Sequence, residues 1–529
     1  MSDSLNLAKS HFRNFRDKSF YGYQKDTIEK VLASDKKYIF INSPTGSGKS
    51  LQGAVISQLS QSSVYIVHSK SLQEQLREDF PEFSILMGRS NYPCLDASTQ
   101  QNFVGCDKCN YLTPRNNCDS FFDCEYKLAK QSALDAKLRV LNYAYYFTES
   151  NYIGKFSNQD TIICDEADTL ESELLGFIRL TMSEYALEKY FIGLPKGKSP
   201  KKSERILANW KHWANESLSK LEIEENKLES RLQNSELRGN IIDDVLLRQF
   251  KSLGNLMKRF ELFIKHVDNS WLLDVQEYRG RKTYHFMPTW LTSELTQDFF
   301  FRHGKKFVMM SATLLTKSVM CRVLGLDESL TEYIDVPSVF PTRNRPIHVN
   351  PVANMAGATI EVDTPKLIEE VKRILALHPN EKGLIHTYNY KIAKAVMEIK
   401  SDRLITHDGL NKVEKIDLFK ESDQPLVMVS PSMDRGVSLN DDLARFIIIA
   451  KIPYLYLGDR QTSARMHSGR FGQKWYVNVT IQTLEQMAGR GTRHKEDKCS
   501  IYILDKQIER IFSQNSRLFS EYFRDCIVY

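Results

Sequence analysis

At 529 residues the chain is too long for one hydrophobic core, and its length fits about three or four domains. Hydrophobic residues at 42% and charged residues at 26% describe an ordinary soluble protein, not a membrane or low-complexity chain. A net charge of +6, from 72 basic and 66 acidic residues, is too mild to demand an anionic partner, yet a nucleic-acid groove needs only local positive charge.

The first ten residues hold no apolar run after a basic start, so no secretory signal is expected. Apolar runs such as residues 446–450 are strand-sized, well short of the ~20 residues of a membrane span. An intracellular setting follows: cytoplasmic, or nuclear in a eukaryote. There the nine cysteines stay reduced, and a tight cysteine group reads as a metal site before a disulfide framework.

Residues 38–42, 64–67, 139–141 and 161–164 read as buried strands, with helical patterns such as 71–80 between them. This alternation predicts a parallel sheet with crossover helices. Residues 88–130 break the pattern with Cys, Asn, Pro and Gly, and carry Cys94, Cys106, Cys109, Cys118 and Cys124. From about 203 to 267 the apolar series Leu207, Trp210, Ala214, Leu218, Leu221, Leu228, Leu232, then Leu246, Leu253, Leu256, Phe260, Phe263, Val267, predicts an antiparallel helical hairpin turning near Gly239 and Asn240. Each of those residues is best read as core packing. Strand signals resume at 306–310, and a second alternating region beginning near Pro346 has strands at 383–386, 426–429, 446–450 and 501–504. Two similar α/β units carrying two insertions is the economical architecture.

Ser43, Pro44, Thr45, Gly46, Ser47, Gly48, Lys49 and Ser50 follow a strand and open a helical pattern, the context a P-loop requires. Backbone N–H groups there cradle phosphates, Lys49 reaches the β/γ oxygens of ATP, and Ser50 ligates Mg²⁺. Ser43 stands where the strict pattern has Gly. Asp165 and Glu166 close an apolar strand; Asp165 would hold Mg²⁺ through water and Glu166 would orient or deprotonate the attacking water. Gln486-Met-Ala-Gly-Arg-Gly-Thr-Arg493 puts Arg490 and Arg493 three apart, on one face of a helix, where they can reach a γ-phosphate held by another domain. Gly489 within that helix predicts a close approach by another element.

These motifs stand in the order found in superfamily 2 helicases, and the chain resembles the XPD/DinG-like family with an iron–sulfur cluster. Gln24 is similar to the adenine-side glutamine, residues 68–75 to motif Ia, Ser311-Ala-Thr-Leu314 to motif III, residues 429–438 to motif V, and 486–493 to motif VI, which adds Gln486 to the catalytic set. Residues 88–94 and 124–126 are similar to the entry and exit of the family's cluster domain. The family usually has His at the position of Asp168, and its Arch domain is usually longer than the helical region here.

The resemblance implies two RecA-like parallel-sheet motor domains with an inserted Fe–S cluster domain and an inserted helical, Arch-like domain. The first motor would occupy residues 1–87, 131–195 and 286–330, the cluster domain 88–130, the Arch-like domain 196–285, and the second motor 331–529. The gaps of 11, 2, 8 and 5 residues between the cysteines suit a Cys₄ zinc site as well as a cluster. The family pattern implies [4Fe–4S] on Cys94, Cys106, Cys109 and Cys124, with Cys118 spare or a substitute. It further implies an ATP- and Mg²⁺-dependent DNA helicase, a monomer tracking 5′→3′ on single-stranded DNA, splitting forked duplex DNA and serving processes such as DNA repair. An RNA helicase, a nucleoprotein-remodelling translocase and a nucleic-acid-binding module with an inactive ATPase are the alternatives.

Overall fold

The computed structural model describes residues 2–95, 104–108, 120, 122–200, 203–237, 244–408, 411–432, 439 and 441–528. Its strands, in chain order, are β1 (Tyr38–Asn42), β2 (Ser63–Val67), β3 (Ser84–Ile85), β4 (Arg139–Asn142), β5 (Gln159–Cys164), β6 (Leu180–Ser183), β7 (Trp271–Tyr278), β8 (Arg281–Pro288), β9 (Gly304–Ser311) and β10 (Thr331–Asp335). They continue as β11 (Ile347–Ala353), β12 (Gly383–His386), β13 (Leu404–Thr406), β14 (Val427–Ser430), β15 (Phe446–Ile449), β16 (Ser500–Asp505) and β17 (Ile527–Val528).

They form two seven-stranded sheets, ordered β10-β1-β9-β5-β2-β4-β3 and β13-β14-β12-β15-β16-β11-β17, and a three-stranded sheet ordered β6-β8-β7. Every pairing in the two large sheets is parallel. Such sheets are covered on both faces, which is why β2 and β15 are buried from end to end and, apart from Ser63, apolar. These are the two RecA-like units.

The first sheet extends past the expected boundary at residue 330. β10 pairs with β1 in register from Tyr38↔Thr331 to Asn42↔Asp335, so the first motor's sheet runs to Asp335. The helical insertion also differs from its expected span of 196–285. Its long helices, Glu204–Leu237 and Asp244–His266, pack on an antiparallel sheet that recruits β6 from before the hairpin and β7 and β8 from after it. Trp213 stacks on Phe286 of β8 with ring centroids 4.8 Å apart, and Trp210 meets the same ring edge-on at 5.3 Å. The apolar stripe residues Trp210, Ala214, Leu221, Leu228, Leu232, Leu253, Phe260, Phe263 and Val267 are buried, as core packing requires. The expected turn at Gly239 and Asn240 lies outside the described residues.

Sheet order is what positions the chemistry. β9 lies between β1 and β5, so the segments leaving the carboxyl ends of all three emerge side by side. In open α/β sheets that edge is where ligands bind.

Candidate active site

The segment after β1 is tied to the end of β9 by a hydrogen bond from the Ser43 amide to the Ser311 carbonyl, 2.9 Å. It then turns through Gly46 and Gly48 at φ +78° and +75°, a region that penalises a Cβ, and opens the helix Lys49–Leu59. A Cβ on Gly46 would also strike the Arg493 carbonyl and the Phe340 ring, so the second motor's chain lies directly against this loop. Lys49 Nζ donates to the carbonyls of Ser43 (3.0 Å) and Pro44 (3.3 Å). Burial pulls its pKa down and Asp165 opposes that shift, with Arg493 adding to it.

Gln24 sits beneath the loop. Its Oε1 accepts from the Tyr21 amide at 2.9 Å and its Nε2 donates to the Ser47 carbonyl at 3.1 Å. Both ends of the amide are therefore engaged on the backbone beside the phosphate loop.

At the end of β5, Asp165 is held from three directions. Tyr65 donates its hydroxyl to Oδ2 (2.8 Å), the Glu166 amide donates to Oδ1 (2.9 Å), and Tyr143 donates to the Asp165 carbonyl (3.2 Å). Burial raises the Asp165 pKa, with Lys49 the main opposing influence. Glu166 occupies the left-handed region at φ +50°, which turns its side chain from the strand. Its pKa is raised by burial and by Asp165 and Asp168, against His68 and Arg490. A carboxylate so disposed is suited to take a proton from water.

The second motor brings the helix Arg470–Ala488 to the same place. The helix stops at Ala488, so Arg490 and Arg493 project from the turn that follows, not from a helical face as the sequence suggested. Gly489 is the helix's C-terminal cap, and a Cβ there would meet nothing but carbonyls of its own last turn. The close approach occurs at Gly491, where a Cβ would collide with the Cys499 side chain. Arg493 is half-buried and its Nε has no hydrogen-bond partner; burial lowers its pKa against Tyr522, Glu166 and Asp497. His386 of β12 is buried beside Arg490, and burial together with that guanidinium depresses its pKa to about 3.

The motors are joined through Asp168. Its Oδ1 accepts from Ser311 Oγ at 2.6 Å and its Oδ2 from Gln486 Nε2 at 2.9 Å. The same Gln486 amide reaches Thr313 Oγ1 at 2.8 Å, and Gln482 donates to the Thr313 carbonyl at 2.8 Å. A cleft of about 1540 Å³ runs between the motors, lined by Gln24, Pro44, Thr45, Gly46, Gly48, Lys49, Ser50, Asp165, Glu166, Asp168, Gln486, Arg490 and Arg493. Sequence reasoning missed Tyr65, Tyr143 and Gln482, which carry no motif signal. The segment at 433–438, expected to belong to motif V, lies outside the described residues.

The cysteine region is described in part. An antiparallel bridge, Pro93↔Gly105, places Cys94 and Cys106 on neighbouring strands, with the Cys94 amide donating to Val104 (2.7 Å) and the Cys106 amide to Tyr92 (2.8 Å). Cys106 interacts with the Cys124 thiol; burial pushes Cys106 up to about 11, with Arg89 opposing. Cys124 caps the helix Glu125–Asp135. Cys109 and Cys118 lie outside the described residues. Among the described residues no three ligand atoms within 4.8 Å of one another include a cysteine; the group that qualifies, Asp441, His494 and Asp497, is engaged with Arg445 and backbone amides. The sulfur donors thus fit a thiolate-bound group to the extent of a Cys106–Cys124 pair with Cys94 on the adjoining ribbon.

Two family models match this chain: a type III restriction enzyme res subunit over residues 17–194 and a helicase C-terminal domain over residues 367–526. A solved XPD helicase superposes with a TM-score of 0.61 at 17% identity, covering 95% of this chain and 98% of that one. Its sequence matches helicase domain models and its fold is that of XPD helicases. Xpd4 of S. tokodaii gives the same XPD-like fold, with a TM-score of 0.57, 15% identity and coverage of 96% and 99%. Among curated relatives, the probable ATP-dependent helicase MJ0942 of Methanocaldococcus jannaschii is 27% identical over 186 residues, 28% of each chain. The ATP-dependent DNA helicase CHL1 of Candida albicans is 28% identical over 103 residues, 17% of this chain and 12% of that one. The matches thus span little more than a quarter of those relatives at most. Among the described residues, no helix is long and apolar enough to cross a membrane.

Proposed function

We propose that the chain is an ATP-dependent DNA helicase that translocates 5′→3′ along single-stranded DNA. The observation that carries the reading is one cleft in which Lys49, Asp165 and Glu166 of the first motor face Gln486, Arg490 and Arg493 of the second. The unpartnered, water-shielded Nε of half-buried Arg493 adds to it, because a guanidinium N–H left unsatisfied away from water suits an anion.

With ATP in the cleft, Lys49 exchanges its two carbonyl partners for phosphate oxygens, and the N–H groups of residues 46–50 donate to the same anion. Ser50 and, through water, Asp165 would hold Mg²⁺, which neutralises charge developing on the phosphates. Glu166 aligns the attacking water and takes its proton. Arg490 and Arg493 approach the transferring phosphoryl group from the other motor and draw the domains together. Hydrolysis removes their anchor, and the Asp168–Gln486 contact is where opening is felt. Alternating grip by the two motors turns this cycle into stepping.

DNA as substrate rests on the family resemblance and on the likeness to the DNA helicase CHL1; polarity and a [4Fe–4S] cluster aiding strand separation rest on the resemblance alone. Lys49→Ala should abolish nucleic-acid-stimulated ATP hydrolysis, and retained turnover would remove the motor reading. Duplexes with 5′ and 3′ single-stranded tails decide polarity: unwinding from 3′ tails alone would refute it. ATPase stimulation by single-stranded RNA but not DNA would move the assignment to an RNA helicase.

A further inference from the structure

Tyr65 lies in the middle of β2, beside β5, which ends at the acidic pair, and separated by β5 and β9 from β1, which leads into the phosphate loop; it belongs to no helicase motif. It is fully buried, yet its hydroxyl is engaged: the phenol donates to Asp165 Oδ2 at 2.8 Å. Its oxygen thus holds a side chain that the proposed function assigns to Mg²⁺. The ring reaches this position because the phosphate-loop helix has a gap for it. A Cβ on Gly53, one turn past Lys49, would lie 2.6 Å from Tyr65 Cε2. The ring is seated from the far side by Phe83, edge-on with centroids 5.8 Å apart.

We infer that Tyr65 is a positioning residue for the divalent cation: its hydroxyl fixes the Asp165 carboxylate so that its oxygens present free lone pairs toward the metal and its water. A carboxylate that ligates through water must be held against rotation. Tyr65 on Oδ2 and the Glu166 amide on Oδ1 fix its plane, each leaving the oxygen further acceptor capacity. Partners that orient metal ligands in this way typically control metal affinity by about 10–100-fold. Plain core packing would use the ring alone and would not require the hydroxyl.

This inference rests on the nucleotide-binding reading of the cleft, and the test separates the two. The affinity of a fluorescent, non-hydrolysable ATP analogue is measured in EDTA and in Mg²⁺ or Mn²⁺, for wild type, Tyr65→Phe and Tyr146→Phe. Tyr146 is an equally buried phenol whose hydroxyl has no hydrogen-bond partner, so its variant reports the cost of deleting a core hydroxyl. Tyr65→Phe should keep the EDTA affinity of wild type and lose about 10-fold or more of the gain conferred by the metal. Tyr146→Phe should keep that gain. An undiminished metal-dependent gain in Tyr65→Phe overturns the inference. So does an equal fall with and without metal, which would mark a distorted phosphate loop. If wild type fails to bind the analogue at all, the nucleotide-site reading fails with it.

Discussion

Asp168 of the first motor accepts a hydrogen bond from Gln486 of the second at 2.9 Å, and its other carboxylate oxygen accepts from Ser311 at 2.6 Å. Family members usually have His at this position. A carboxylate here offers only acceptors, and the groups around it, a serine hydroxyl and the NH₂ end of a glutamine, are donors. The substitution is therefore matched by its surroundings. Gln486→Leu removes the bond to a charged acceptor, a loss of about 1.5–3 kcal/mol. Nucleic-acid-stimulated ATP turnover should fall by about 10-fold or more while nucleotide affinity holds. Asp168→His should be tolerated, because the amide of Gln486 can rotate to present its oxygen to an imidazole N–H. A Gln486→Leu protein that couples as wild type does would show that the contact is incidental.

Glu485, the neighbour of Gln486, supplies a pH dependence. Its carboxylate accepts from the Ser520 amide (2.7 Å) and hydroxyl (2.9 Å), and burial pushes its pKa up to about 7. Unfolded glutamate titrates near ~4.3. Between those values the folded chain binds the proton more tightly, so this stabilising contribution is complete below ~4.3 and is lost as pH rises through about 7. Glu485→Gln, which keeps an acceptor for Ser520, should have a thermal midpoint that gains on wild type as pH rises from about 5 to about 8. A difference that stays flat over that window would mean that Glu485 does not titrate there.

Much of this site was legible in the residues because phosphate chemistry restricts local backbone. Gly46 and Gly48 need positive φ, Lys49 and Ser50 open a helix, and Asp165 and Glu166 end a strand. What stayed hidden depends on which strands become neighbours. Tyr65 reads as one more apolar residue of β2 until β5 is set beside it. The small antiparallel sheet escaped because β7 is buried only in its first half, Trp271 to Asp274, while Val275 to Tyr278 are exposed; no period-two alternation marks it. Gly489 shows the opposite failure: a correct anomaly given the wrong cause, since the helix simply ends there.

The cysteines are tested by composition. The family pattern names Cys94, Cys106, Cys109 and Cys124, and the structure sets the Cys106 and Cys124 thiols together. Protein prepared without oxygen should carry iron and sulfide with a brown chromophore. Cys106→Ser and Cys124→Ser should lose it, and Cys118→Ser should retain it. Stoichiometric zinc in place of iron would replace the cluster with a tetrahedral zinc site.

Arg465 joins all three units of the molecule. It belongs to the short helix Arg460–Met466 of the second motor, and its Nη2 lies 2.8 Å from Glu171 Oε1, in the helix that follows the acidic pair of the first. Its Nε donates to the Thr289 carbonyl, 2.6 Å away, just past β8 of the insertion. The guanidinium is held between Trp290 and Trp475, 4.6 and 5.1 Å from their ring centroids. Removing one partner of a buried ion pair strands the other without water, at a cost of about 3–5 kcal/mol. Arg465→Ala and Glu171→Ala should each lower the first unfolding transition in denaturant by that order. Arg465→Lys should fall between, since an ammonium keeps the charge but loses the planar fork and the stacking. Replacing both together, Arg465→Met with Glu171→Leu, should recover much of the loss, because an apolar pair of similar volume leaves no charge stranded. The chain holds several domains, so the comparison must follow that first transition, not a single global midpoint. If Arg465→Ala costs less than about 1 kcal/mol, as an exposed pair would, the junction is a surface contact and not a clamp.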